Sequence, residues 1–366
     1  MSSTLASPVS EVITGVYKFP TSEPEGDGTL TWDATTAVTV EIKAGAETGL
    51  GWTYSTGAAA TIITDHLAPA IRNLDVLDVP GCWSAMHRAC RNLGTRGLVM
   101  QAISAVDIAL WDLKARLFGA SLTALLGRIR DAVPVYGSGG FTTMNTRQLH
   151  DQIRIWTDAG CTAMKIKIGQ SWGSDEVRDL ARVKQLRSQS DDDVALMVDA
   201  NGGYTRGQAR RIGHQLDDLG VTWFEEPVSS DDLDGLAVIR DALSCDVAAG
   251  EYVSELDEAT RLCTVVDCLQ LDVTRCGGYT GWLRGAALAQ DHHLDVSGHC
   301  APSLHAAVAA AIPNLRHVEW FADHARLEPL LVDGAPPVRD GALHPDHDAV
   351  GHGMSLSGGA ARYRTG

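Results

Sequence analysis

From residue 133 onward the chain alternates short β-type runs with helix-period stretches, and no other feature narrows its fold as far. The runs are VPVYGS (133–138), AMKIKIG (163–169), VALMVDAN (194–201), TWFEEP (222–227), DVAAGE (246–251), CLQLDV (268–273), DVSGH (295–299) and HVEWF (317–321). Helical patterns lie between them at 145–159, 174–189, 206–219, 231–243, 254–266, 280–292 and 303–312. Asn145 with Gln148, Ser254 with Asp257, and Asp231 with Asp234 read as helix starts. Eight strands and seven intervening helices predict an α/β fold, a (β/α)7β barrel of the TIM type. The stretch ADHARLEPLLVDG after the eighth strand does not continue as a long amphipathic helix, so the last helix is expected to be missing or replaced.

Residues 1–130 follow a different pattern. Stretches 9–19 and 35–45 alternate like antiparallel strands, while 57–74 and 97–118 have helical periodicity, which predicts an α+β unit ahead of a barrel at 131–325. Two segments read as loops able to act as lids: the Gly/Pro/Ser/acid-rich 20–32, and 49–57 with Trp52 and Tyr54.

Charge narrows the partners. Lys and Arg number 30 against 46 Asp and Glu, a net charge of −16, so nucleic acid and anionic membrane are disfavoured. A small anionic ligand is still allowed wherever positive charge is concentrated locally. The eight cysteines include no CxxC pair, as expected of small buried hydrophobes in a reducing compartment. The N-terminus lacks the pattern of a secretory signal, and the longest apolar stretch, 306–312, is too short to span a bilayer. A cytoplasmic protein is the expectation.

A parallel barrel carries its active site at the C-terminal ends of its strands. Those ends here hold Lys165 and Lys167, Asp199 and Asn201, Glu225, Glu251, Asp272, His299 and Glu319. Taken singly, each has a bland reading: a solvated face, a strand stop, a turn, a core histidine. Together they would put many charges at one mouth, which is costly unless they are paired or hold a metal. Asp199, Glu225 and Glu251 would project side by side from successive strands as oxygen donors for one hard cation, Mg²⁺ or in its place Mn²⁺. Zinc is disfavoured there, because no His-x-His or cysteine pair accompanies them.

Lys165 and Lys167 share a strand face and would make the mouth locally positive enough for a carboxylate. Removing a proton alpha to a carboxylate leaves two negative oxygens, which a divalent metal and an ammonium stabilise. Lys167, beside the Lys165 cation, is expected to have a lowered pKa and to act as a base. His299 with Asp272 behind it is a second base, across the mouth from Lys167. Tyr136 and Ser138 could reach substrate hydroxyls, although a packed strand end is as good a reading. GSGG (137–140) reads as a tight turn and lacks the spacing of a nucleotide loop.

The order MKIKIG, VDANGGY, WFEEP, AGEY, QLDVTRCGGYTGW, SGH, VEW, preceded by ISAVDIALWDLKARLFGASLTALLG (103–127), resembles the enolase superfamily and within it the mandelate racemase subgroup. The use of a Lys or His base with Mg²⁺ in that superfamily is established. The resemblance covers nearly the whole chain. It implies an N-terminal α+β cap, a (β/α)7β barrel, and a segment 326–366 returning to the cap. It also implies one Mg²⁺ per subunit on Asp199, Glu225 and Glu251, and Lys167 as the base for one configuration. Lys165 would hold the substrate carboxylate, Asn201 would assist near the metal, His299 with Asp272 would serve the other face, and Glu319 would bond the carboxylate end. A homo-oligomer is implied as well.

The sixth strand carries Asp272 and no lysine, which disfavours cycloisomerisation and dipeptide epimerisation. Arg275 could bind a second substrate carboxylate or form a structural ion pair, and the ion pair is slightly favoured. The subgroup's commonest substrates point to dehydration of an acid sugar, an aldonate or aldarate, to a 2-keto-3-deoxy acid. The acidic, hydroxyl-bearing 20–32 segment suits such a substrate, whereas Trp52 and Tyr54 pull toward an apolar or cationic one. The alternative is racemisation or epimerisation of a 2-hydroxy or amino acid. A metal-dependent hydrolase would want His-x-His on the first barrel strand, where the chain reads Val-Tyr-Gly-Ser. A non-catalytic binding protein on this fold would have lost a ligand or a base, and none is lost.

Overall fold

A computed structural model describes residues 7–366. It opens with an antiparallel sheet of three strands in sequence order: β1 (Glu11–Gly26), β2 (Thr31–Ala44) and β3 (Glu47–Tyr54). The helix Leu98–Leu117 packs on this sheet, and most of its side chains are buried. Gly49 and Gly51 permit the close approach. A Cβ on Gly49 would lie 2.2 Å from the carbonyl oxygen of Ala109, and one on Gly51 would lie 2.3 Å from that of Ala105.

The reading of segments 20–32 and 49–57 as loops is corrected here. The ladder of β1 and β2 runs past Pro20, paired with Ala34, and after a bulge resumes at Glu25 opposite Trp32. Pro20 is tolerated because β1 is an edge strand. Segment 20–32 is therefore a hairpin end, its turn closed by Asp27 Oδ1, which accepts from the amides of Thr29 (2.6 Å) and Leu30 (2.7 Å). Segment 49–57 is largely strand β3, not a loop. The helical stretch Ala58–Ile71 contains a π-turn at Ile63–Leu67 directly ahead of Pro69, where a ring without an N–H would otherwise break the ladder.

The barrel comprises eight parallel strands: β4 (Val133–Gly139), β5 (Ala163–Lys167), β6 (Ala195–Asp199), β7 (Val221–Glu225), β8 (Asp246–Ala249), β9 (Cys268–Leu271), β10 (Asp295–Gly298) and β11 (Leu315–Phe321). It closes by pairing β11 with β4, Val318 opposite Val135. Amphipathic helices surround it, as the period-3.6 stretches require. The Asn145–Gln148 capping box forms as expected. The other two starts move by one residue, to Asp232, which accepts from the Gly235 amide, and to Glu255 with Glu258. A ten-residue helix, Ala322–Leu331, does follow β11, even with Pro329 inside it, because Leu327 and Leu331 are buried. The chain end returns to the first sheet, where the Thr365 amide donates to the Val16 carbonyl (2.8 Å). All eight cysteines are buried and unpaired. No helix of the described residues is long and apolar enough to cross a membrane.

Candidate active site

Register sets the site. Lys167 pairs with Asp199 across β5 and β6, and Asp199 pairs with Glu225 across β6 and β7, so three ionisable side chains stand level on neighbouring strand ends. Glu251 follows β8 immediately after Gly250. Gly250 has φ +135°, and any Cβ there would lie 2.2 Å from the Gln270 carbonyl. Asp199, Glu225 and Glu251 are buried, and each has a carboxylate oxygen within 4.8 Å of the others. Among the described residues, Glu251 Oε2, Asn201 Oδ1 and Glu226 Oε1 are buried oxygens with no hydrogen-bond partner. An all-oxygen donor set with orphaned acceptors beside it fits a hard divalent cation.

The backbone is bent just past three of these strands. Asn201 (φ +45°), Glu226 (φ +38°) and Cys300 (φ +50°) all occupy the left-handed region, uncommon for residues other than glycine. Such outliers cluster at functional sites, where surrounding structure holds them. The Asn201 amide donates to Asp199 Oδ1 at 2.8 Å.

Lys165 is fully buried. Its ammonium donates to both Glu225 oxygens (2.7 and 2.6 Å) and to the Tyr136 hydroxyl (3.0 Å), and it pairs with Glu319 (2.9 Å). Those contacts engage all its donors. Burial works against its charge, but Glu225, Glu319 and Asp199 outweigh burial and hold it above its ordinary pKa. Lys167 is paired with Asp199 and lies 5.8 Å from the Phe321 ring centre. The expected lowering of its pKa is corrected. Burial and Lys165 do act in that direction, but the Asp199 carboxylate, with Glu319 and Glu225, holds the proton well above the ordinary value.

His299 Nδ1 meets Asp272 Oδ2 at 2.9 Å. Asp272 Oδ1 accepts from the Thr274 amide and hydroxyl, both at 2.7 Å, which fixes the carboxylate. Burial would raise the Asp272 carboxyl, yet the His299 hydrogen bond and Arg275 lower it to about 2. His299 Nε2 lies 3.3 Å from Glu251 Oε2. Burial alone would lower its pKa, but Cys300, Glu251 and Glu319 hold the imidazole well above the ordinary value. Arg275 sits in ion pairs with Glu251 (3.3 Å) and Asp272 (3.4 Å) and covers the Tyr252 ring.

Several named residues are engaged within the protein. Ser138 donates to Glu319 Oε1 (2.6 Å), and the Cys300 amide donates to Glu319 Oε2 (2.8 Å). Tyr136 lies in the barrel interior with Met197, Trp223, Ala248 and Cys268, its hydroxyl accepting from Lys165 and Gln270. Trp52 is fully buried and donates to the Tyr54 hydroxyl (3.1 Å), which donates to Glu328 (3.0 Å) at the seam between the first sheet and the last helix. Tyr54 also stacks on His324, centroids 3.6 Å apart.

Sequence reasoning missed Trp223 and Gln270, which donate to Glu225 Oε2 at 2.9 and 3.0 Å. Each lies two residues before a strand-end acid, so strand parity could have found them. It also missed Cys300, whose sulfur lies 3.3 Å from His299 Nε2.

The family described as "Mandelate racemase / muconate lactonizing enzyme, N-terminal domain" matches residues 14–127, and "Enolase C-terminal domain-like" matches 148–360. The chain is 33% identical to the L-talarate/galactarate dehydratase of Salmonella typhimurium strain LT2, over 98% of this chain and 87% of that protein. It is 32% identical to a D-galactarolactone cycloisomerase of Agrobacterium fabrum, over 80% of this chain and 78% of that protein. A mandelate racemase/muconate lactonizing enzyme-like structure from Rubrobacter xylanophilus superposes with a TM-score of 0.95 at 43% identity, covering 98% of this chain and 100% of that one. The Salmonella dehydratase liganded with Mg and L-lyxarohydroxamate gives 0.90 at 29% identity, covering 99% of this chain and 94% of that one.

Proposed function

The chain belongs to the mandelate racemase/muconate lactonizing enzyme family of the enolase superfamily, and from that premise we propose that it dehydrates an acid sugar to a 2-keto-3-deoxy acid. One observation carries the reading: a buried trio of carboxylates has Lys167 against one member, Asp199, and His299 against another, Glu251. Bound by Asp199, Glu225 and Glu251, Mg²⁺, or Mn²⁺ in its place, would stabilise the negative oxygens left when the alpha proton departs and would offset the carboxylates that hold protons on Lys167 and His299.

The chain's own residues supply the rest. Lys167 takes the proton alpha to the substrate carboxylate. His299, oriented by Asp272, gives a proton to the departing β-hydroxyl, which leaves as water. Lys165 contributes a fixed positive charge toward the carboxylate end, next to Glu319 and Ser138. Arg275 acts through Glu251 and Asp272 as an ion-pair partner. Bases on two sides of the trio equally favour a second reading, racemisation or epimerisation by proton return on the other face. Cycloisomerisation, disfavoured above for want of a lysine on β9, is named for the Agrobacterium relative, so a sugar lactone joins the substrates to test.

The unpaired cysteines suit a cytoplasmic enzyme, and family resemblance makes a homo-oligomer the expected assembly. The experiment is a screen of aldonates, aldarates, their lactones and 2-hydroxy acids with Mg²⁺, followed by NMR in D₂O. A keto product that reacts with semicarbazide supports dehydration. Deuterium incorporation without loss of water establishes the racemase reading instead.

A further inference from the structure

A second set of ligand-type atoms converges in the barrel mouth, beside the acid trio. Cys300 Sγ lies 3.3 Å from His299 Nε2, and Glu319 Oε2 lies 3.7 Å from the same nitrogen. One donor atom from each of these three buried residues falls within 4.8 Å of the others. Glu251 Oε2 faces the same nitrogen at 3.3 Å, is buried, and has no hydrogen-bond partner among the described residues.

The two spacings to His299 Nε2, 3.3 and 3.7 Å, are close to those around a tetrahedral cation. With bonds of about 2.3 Å to sulfur and about 2.0 Å to nitrogen or oxygen, neighbouring donors stand roughly 3.3–3.6 Å apart. The far side of the imidazole is also prepared: Asp272 holds Nδ1 at 2.9 Å and is itself fixed by Thr274. That carboxylate–imidazole arrangement orients metal-binding histidines and strengthens them as ligands. The donor chemistry separates the two sets. The trio offers only oxygen, which suits hard ions, while sulfur and imidazole together select softer ones.

We propose that Cys300, His299 and Glu319 form a second metal site, specific for thiophilic divalent cations such as Zn²⁺ and Cd²⁺, whose occupation excludes catalysis. On binding, the Cys300 S–H bond breaks, a sulfur–metal bond forms, and the proton leaves to solvent. The His299 Nε2–H bond breaks as well, its proton also leaving to solvent, and the freed lone pair goes to the metal; no electron changes hands. An imidazole so held can neither accept nor deliver a proton at Nε2, so the His299 face of the reaction stops. The binding claim is independent of the reaction proposed above; only the inhibition rests on it.

The test adds Cd²⁺ to the folded protein in saturating Mg²⁺ and follows the ultraviolet sulfur-to-cadmium charge-transfer band, with stoichiometry from calorimetry. One Cd²⁺ per chain with a band is expected, and Cys300→Ser should lose the band while its other cysteines remain. No band in the native protein, or an undiminished band in Cys300→Ser, overturns the site. Should that variant fail to fold, His299→Asn serves: its Cd²⁺ affinity should drop at least tenfold, and unchanged affinity overturns the site. With an active substrate in hand, turnover should fall in step with the band, and full activity at full occupancy refutes the exclusion. Absence of any turnover before Cd²⁺ is added refutes the reaction and leaves the spectroscopic result standing.

Discussion

Asp107 and Thr280 bond the first unit to the barrel through two contacts: the Thr280 hydroxyl donates to Asp107 Oδ1 at 2.6 Å and its amide to Oδ2 at 2.9 Å. Burial nevertheless pushes the Asp107 carboxyl up to about 7, against the pull of those bonds. The folded value lies above the ordinary carboxylate value, so the native chain holds this proton more tightly than the unfolded chain does. Its contribution is complete below the ordinary value and is lost as pH rises through about 7. From about pH 5 to about pH 8, native stability should fall relative to Asp107→Asn, by at most ~1.4 kcal/mol per pH unit. Urea unfolding of both proteins across that range checks this. Parallel profiles would show that Asp107 is ionised in the native state.

His305 ties the two halves of the His299–Asp272 pair together from behind. The Val273 amide donates to its Nε2 (3.2 Å), and its Nδ1 meets the Cys300 carbonyl (2.9 Å). A neutral ring with its proton on Nδ1 satisfies both, and burial lowers the His305 pKa in keeping with that. His305→Leu breaks the tie between the residues following Asp272 and His299, and should reduce kcat by roughly 100-fold with little change in KM. The loss should fall on the His299 face alone, with solvent exchange through Lys167 retained. Equal loss of both exchanges would make His305 a general structural residue.

Lys167 and His299 adjoin different members of the trio, so single substitutions should separate their roles. Lys167→Ala and His299→Asn should each lower dehydration by about 10²–10⁴-fold. Each should keep deuterium exchange at the alpha carbon for one substrate configuration only, opposite in the two variants. NMR in D₂O with a pair of epimeric acids reads this directly. Exchange of both epimers by both variants would assign the proton transfers to other groups.

The barrel was legible because its strands and helices carry distinct hydrophobic periods, and strand parity placed the ionisable side chains at one mouth. Strand β3 was not legible. In ETGLGWTY the large residues Leu50, Trp52 and Tyr54 alternate, but Gly49 and Gly51 between them read as loop residues; they serve the close approach of the helix Leu98–Leu117, a contact that local sequence does not encode. The hairpin end at 20–32 was hidden by Pro20 and its acids, which are tolerated because β1 is an edge. The direction of the Lys167 pKa depended on which neighbour dominated. Sequence put Lys165 two residues away, while the register set Asp199 directly opposite.

The hairpin turn gives a last and more mechanical expectation. Gly28 lies against the barrel mouth, where a Cβ would stand 2.4 Å from the carbonyl oxygen of Ala200 and 2.9 Å from that of Ile168. Those residues directly follow Asp199 and Lys167. The Gly28 carbonyl accepts from the Trp172 amide (3.0 Å), and Thr142 donates its amide to Gly26 (2.8 Å) and its hydroxyl to Asp27 (2.7 Å). Gly28→Ala places a methyl against backbone that cannot give way, so the tip must lift while the barrel and first sheet keep their cores. A lifted tip admits water to the site and weakens substrate closure. The expected outcome is a KM raised about tenfold or more, a thermal midpoint shifted by no more than about 3 °C, and faster proteolytic cleavage at 27–30. Unchanged kinetics beside a docked, protease-resistant tip would show that the hairpin plays no part in closing the site.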